Sequence, residues 1–129
     1  MKIKFLDLKK QYKLNKAKIN KAIIDVLEES VFIGGKTKIN FENNFARYIK
    51  TKFCLGVANG TDAIEIAIEC LNLKKNSEII VPSNSWISTS EAVTRNNLKV
   101  VFCDINKDDY TLDTNNLKQL INKNTSAII

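Results

Sequence analysis

The sequence predicts an α/β fold built on a mostly parallel but incomplete sheet, and three observations lead there. After Lys52 short apolar runs (FCLGVA, EIIV and KVVFCDI) alternate with amphipathic stretches, the pattern that right-handed crossovers turn into parallel strands. Before Lys52 the apolar residues recur at helical spacing alone. The chain closes on TSAII, which reads as a further strand barely begun. A parallel sheet needs cover on both faces, so three strands and a stub make a poor core by themselves. The expectation is therefore the first part of a longer chain.

Each element follows from its residues. From Leu8 to about Glu29, Leu8, Tyr12, Ile19, Ile23, Val26 and Leu27 recur at near-helical spacing, which predicts a long amphipathic helix. SVFIGGKT interrupts it, with Gly34 and Gly35 free to take positive φ. Thr37 is then the expected cap of a second helix with Phe41, Phe45, Tyr48 and Ile49 on one face. Residues 1–52 thus form a helical segment and residues 53–129 the α/β part. In the latter, Phe53 to Ala58 reads as the first strand and Asp62 to Leu73 as a helix turning Ile64, Ala67, Ile68 and Leu71 inward. Glu78 to Val81 is the second strand, closed by Pro82, with a helix over about Ser85 to Asn96. Lys99 to Ile105 is the third strand, and a helix near Thr114 to Asn122 precedes the closing run. Parallel pairing is expected among the strands near Cys54, Ile80 and Val101.

Composition excludes several classes. With 129 residues, 44% hydrophobic and 26% charged, the chain suits one globular domain, not a disordered segment. No apolar run approaches the roughly 18 residues of a membrane span, and MKIKFLDLKK lacks the apolar core and cleavage site of a signal peptide, so the reading is a cytoplasmic protein without membrane partners. Cys54, Cys70 and Cys103 are expected as buried free thiols of a reducing compartment. With no His and no CxxC pair, no metal site is predicted. The net charge of +6 rests on lysines spread along the chain, with Arg47 and Arg95 the only arginines. Nucleic-acid recognition favours clustered Arg, so no nucleic-acid partner is expected.

Two stretches carry chemistry. In Ala58-Asn59-Gly60-Thr61-Asp62 the chain passes from a strand's carboxyl end into a helix, where free N–H groups and the helix dipole favour an anion such as phosphate. Gly60 permits close backbone approach and the Thr61 hydroxyl adds a hydrogen bond. A plain helix cap by Asn59 or Thr61 accounts for the same letters, and both readings stand. One unit later, VPSNSWISTS puts Trp86, the only tryptophan, just beyond the next strand, on the rim where open α/β sheets bind ligands. Trp86 reads either as a core aromatic or as a flat platform for a ring. A ligand with a phosphate and an aromatic ring would satisfy both stretches, and pyridoxal 5'-phosphate (PLP) is one.

In order and spacing, FLDLKKQY (Phe5 to Tyr12), the FIGGK turn, GVANGTDAIEIAI, EIIVPSNSWISTSEAV, VVFCDIN and NKNTSAII resemble the N-terminal region of the DegT/DnrJ/StrS sugar aminotransferases. These are PLP enzymes of the aspartate aminotransferase fold, fold type I. The resemblance covers nearly the whole chain, and its specificity lies in the ordered set. It implies the N-terminal part of the large PLP-binding domain of an enzyme that moves an amino group from glutamate or glutamine to a nucleotide-linked keto-sugar, as a homodimer. It implies that Gly60, Thr61 and the Asp62 amide match the phosphate-holding turn, and that Trp86 matches the ring-stacking aromatic, for which many relatives carry Phe or Tyr. The long first helix and the Gly34-Gly35 loop would suit the dimer interface; a simple helix-to-helix connection explains that loop equally well.

PLP chemistry also needs a lysine that holds the cofactor covalently and a carboxylate on its pyridine nitrogen. In the family both lie beyond the matched region, so no catalytic residue is assigned here and the chain alone is expected to be inactive. Relatives that replace the lysine with histidine and perform dehydration remain a rival, as does a non-catalytic regulatory or binding member. A dinucleotide-binding domain lacks its GxGxxG and a P-loop its GxxxxGK[ST].

Overall fold

The computed structural model describes residues 3–129, which divide into two compact units between Gly56 and Val57. The first holds α1 (Leu8–Glu29) and α2 (Gly35–Tyr48). Asp7 caps α1 by accepting the Lys10 N–H at 3.0 Å. The helix stops at Ser30, whose left-handed conformation (φ 54°) turns its N–H back to Val26 and Leu27. α2 begins two residues before the expected Thr37 cap: Gly34 (φ 70°) and Gly35 (φ 76°) both take the left-handed region, and no side chain caps the helix. Glycine is required at 35 on a second count, because a Cβ there would lie 2.6 Å from Val31 Cγ1. The apolar faces of both helices stay open: no α1 residue is buried, and only Ala46 is buried in α2.

One expected strand does not form. Phe53 to Ala58 has the apolar run but, among the described residues, no ladder partner, and without one a strand has no hydrogen bonds to define it. Phe53 and Leu55 are 79% and 69% exposed. What holds this segment within its unit is the Gly56 N–H, which donates to Glu42 Oε1 at 2.7 Å while Lys38 pairs with the same carboxylate.

The second unit holds α3 (Gly60–Cys70), β1 (Glu78–Pro82), α4 (Ile87–Arg95), β2 (Lys99–Cys103), α5 (Thr114–Leu120) and β3 (Thr125–Ile128). Its strands form one parallel sheet in the order β2-β1-β3, with Ile80 opposite Val101 as expected. The place expected for the Cys54 run is not taken by it, and the closing TSAI supplies the third strand instead. The chain steps from β1 to β2 through α4, then doubles back past β1 through α5. With right-handed crossovers that reversal puts the two helices on opposite faces of the sheet. β1, in the middle, is the most buried: Ile79, Ile80 and Val81 are all but inaccessible. Ile79 and Val81 pack with Ile68, Ala92, Val93 and Leu98 into the core.

Helix ends fall where local chemistry sets them. α3 stops at Cys70, short of Leu73, and Asn72 (φ 48°) reverses the chain, a conformation asparagine tolerates better than most residues. Asp113 caps α5 through the N–H groups of Asn115 and Asn116, and the helix ends at Leu120. Of the three free thiols only Cys103 is buried; Cys54 is half-buried and Cys70, on the outer side of α3, is exposed. An apolar neighbourhood in sequence did not imply an inward side chain at Cys70. Among the described residues no helix is long and apolar enough to cross a membrane, and no three His, Cys, Asp or Glu side chains converge on a metal-sized space.

Candidate functional site

The start of α3 is built by Asn59. Its backbone is extended (φ −160°, ψ 178°), so its side chain folds over the first turn. Oδ1 accepts the Asp62 N–H at 2.9 Å, Nδ2 donates to Asp62 Oδ2 at 3.1 Å, and the Asn59 carbonyl accepts the Ala63 N–H. The Asp62 amide, expected from the resemblance to join the phosphate-holding turn, is instead spent on the cap. Asparagine at this position reaches the third amide of the helix, which is the ordinary capping geometry. Among the described residues the Gly60 and Thr61 N–H groups have no protein acceptor.

Gly60 has an unforced vacancy beside it. A Cβ there would meet nothing within 4 Å, and its φ lies outside the left-handed region. Neither backbone strain nor crowding within the chain calls for glycine here, whereas close approach of a ligand would. Two free amides at the positive end of an eleven-residue helix, beside open space, fit a phosphate.

The Thr61 hydroxyl is engaged: Oγ1 donates to Ser88 Oγ at 2.7 Å. Ser88 is the second residue of α4, as Thr61 is of α3, and Ser88 is buried at 8% exposure. Farther along, Asn96 Nδ2 donates to the Glu65 carbonyl at 3.1 Å and the Arg95 guanidinium bonds Glu65 at 3.4 Å. The contacts advance along both helices together, so α3 and α4 run in the same direction with their amino ends level. Arg95 also bonds Glu91, which is the main reason its pKa is raised.

Trp86 is the N-cap residue of α4, with no side-chain hydrogen bond in that role, and is 79% exposed. Within the described residues it is not packed into the core. Its loop is braced by the 2.7 Å contact between Ser85 Oγ and Thr89 Oγ1. The concavity beside it is lined by Val81, Pro82, Ser85, Thr89 and Phe102. Gly60 and Thr61 do not line it. The ring-bearing loop faces the end of β2, and its link to the α3 start is the Thr61–Ser88 hydroxyl pair. Ser88 was not singled out from the sequence, although a hydroxyl as second residue of both helices was a readable signal.

The helices and the three-stranded parallel sheet match the N-terminal part of the PLP fold type I aminotransferases. Residues 13–129 match the DegT/DnrJ/EryC1/StrS aminotransferase family, and the chain belongs to it. It is 35% identical over 98% of its length to the UDP-2-acetamido-2-deoxy-3-oxo-D-glucuronate aminotransferase of Pseudomonas aeruginosa, covering 35% of that protein. Its structure superposes on S. venezuelae DesV, solved in complex with a ketimine intermediate, with a TM-score of 0.92 and 32% identity, over 98% of this chain and 34% of DesV. The E. coli GDP-4-keto-6-deoxy-D-mannose-3-dehydratase, solved with bound hydrated PLP, gives a TM-score of 0.80 and 33% identity over 84% of this chain and 30% of its own. The chain spans about a third of the length of these relatives.

Proposed function

We propose that the full-length protein is a cytoplasmic, homodimeric PLP-dependent aminotransferase that passes an amino group from glutamate or glutamine to a nucleotide-linked keto-sugar. The observation that carries this reading is 35% identity, over 98% of the chain, to an aminotransferase of a UDP-linked 3-oxo sugar. In it the Gly60 and Thr61 amides and the Thr61 hydroxyl hold the cofactor phosphate. Asp62 contributes through the cap that fixes the turn, and Trp86 lies flat against the ring. Bound PLP supplies the electron sink that lets nitrogen move between two carbon skeletons. The residues here bind and orient it; the covalent lysine and the carboxylate on the ring nitrogen are assigned outside these 129 residues.

A second reading is dehydration of the same class of sugar, favoured by the likeness to the GDP-4-keto-6-deoxy-D-mannose 3-dehydratase. A third is a regulatory member, favoured by 30% identity to a Geobacillus stearothermophilus pleiotropic regulatory protein. The test incubates the full-length protein with PLP, glutamate and a panel of nucleotide-linked keto-sugars, followed by mass spectrometry. Amino-sugar formed in step with 2-oxoglutarate supports transamination. A deoxy-sugar without retained nitrogen identifies the dehydratase, and unchanged substrate beside tight PLP binding points to the regulatory reading.

A further inference from the structure

Thr61 faces a conflict if its hydroxyl serves a phosphate, because its single proton is directed at Ser88. A hydroxyl carries one donor and two acceptor sites and rotates to suit its partners. Ser88 Oγ receives that proton, and among the described residues its own proton has no acceptor. The pair can reverse once the Ser88 side chain rotates to aim its own proton at Thr61: Ser88 then donates to Thr61, and Thr61 donates outward.

We infer that Ser88 is a positioning residue for the phosphate site, fixing the Thr61 side chain and forming with it a two-hydroxyl relay that points one donor at an incoming phosphate. The assignment rests on the proposed cofactor reading. Burial supports it: at 8% exposure Ser88 is sheltered from competing water. Each hydroxyl in a chain of hydrogen bonds polarises the next, so Thr61 becomes a better donor when Ser88 donates to it. Because Ser88 is two residues beyond Trp86 on the same helix start, the relay also holds the anion turn in register with the ring platform.

The test measures dissociation constants for PLP and for pyridoxal, which lacks the phosphate, by absorbance titration of the full-length apo protein. The variants are Ser88→Ala, Thr61→Val and the pair together, with Ser88→Cys as a weak donor of similar size should Ser88→Ala not fold. Loss of one relayed hydrogen bond should weaken PLP by roughly three- to tenfold and leave pyridoxal unchanged. In the Thr61→Val background Ser88→Ala should add nothing. If Thr61→Val weakens PLP but Ser88→Ala does not, or tightens it, Ser88 is no positioning residue while the cofactor reading stands. Equal weakening of PLP and pyridoxal by Ser88→Ala, or effects that add in the double variant, would assign Ser88 a structural role only. Thr61→Val without effect on PLP overturns both the relay and the role of Thr61 in the cofactor site.

Discussion

Thr61 Oγ1 lies 2.7 Å from Ser88 Oγ, so the second residue of α3 is bonded to the second residue of α4. The two ends of this bond differ in what their loss should cost the ligand-free protein. Thr61→Val leaves the buried Ser88 hydroxyl unpaired, a loss predicted at about 1–3 kcal/mol. Ser88→Ala leaves the half-buried Thr61, which water can reach, and should cost about 0.5–1.5 kcal/mol. Denaturant unfolding of both variants checks the order, and a larger loss for Ser88→Ala would contradict the burial argument.

Asn59 makes the cap that spends the Asp62 amide. Asn59→Ala is predicted to destabilise the protein by about 1 kcal/mol, since a short polar cap is lost and the first turn is left to water. Asn59→Asp keeps the acceptor but sets a second carboxylate against Asp62 where Nδ2 now donates, so it should recover only part of that loss. Unfolding midpoints decide, and equal stability of Ala and wild type would mean the cap carries no weight.

Gly60 separates stability from binding. With an ordinary φ and nothing within 4 Å of where a Cβ would sit, Gly60→Ala should leave the apo protein unchanged or more stable by up to about 1 kcal/mol. The added methyl points into the space where a phosphate would approach, so PLP affinity should fall. A variant that binds PLP as well as wild type would show that the free space is not the ligand's.

How much of this was legible in the sequence depended on whether the deciding partner was local. α1 was readable to within its cap because helical hydrogen bonds stay inside the run, and EIIV and KVVFCDI declared their strands by apolar content, although the second ends at Cys103, two residues short of the expected Ile105. The Phe53 to Ala58 run has the same content but depends on a neighbour in space, which sequence pattern does not reveal. The α2 start was misplaced because Thr37 looks like a cap, while the two positive-φ glycines set the boundary earlier. At the candidate site, Gly60, Thr61 and Trp86 could be singled out by their position after a predicted strand and at a helix start. The capture of the Asp62 amide by Asn59 and the Thr61–Ser88 bond are matters of side-chain reach, and the second spans 27 residues of sequence.

Acid should loosen the first unit through Glu42. Its carboxyl is held below the usual carboxylate range by the Gly56 N–H first and by Lys38 second. A depressed folded pKa means that the stabilisation is complete above the ordinary value of about 4.3 and is lost as pH falls through the folded value. Glu42→Gln retains an oxygen for Gly56 but carries no charge. The gap in Tm between wild type and this variant should therefore be widest near neutrality and close between roughly pH 5 and pH 3. Parallel curves across that window would remove Glu42 from the account of acid sensitivity.

Trp86 offers the sharpest separation of a binding role from a packing role, because its 79% exposure leaves little packing to lose. A large aromatic held open at the start of a helix gives up the burial that would stabilise the fold, and a flat ligand face restores it. Trp86→Ala should change apo stability by less than about 0.5 kcal/mol, as for an exposed surface site. If the indole is the platform, the same substitution should weaken PLP retention by about 1–3 kcal/mol, the range seen when aromatic stacking on a base is removed. Trp86→Phe should recover most of that loss, since a flat ring remains. Absorbance titration of the full-length variants with PLP, alongside thermal melts of the apo forms, reads both quantities. A Trp86→Ala protein that melts several degrees lower yet binds PLP unchanged would make Trp86 a structural residue covered by protein outside these 129 residues, and the ring would then have to find its platform elsewhere.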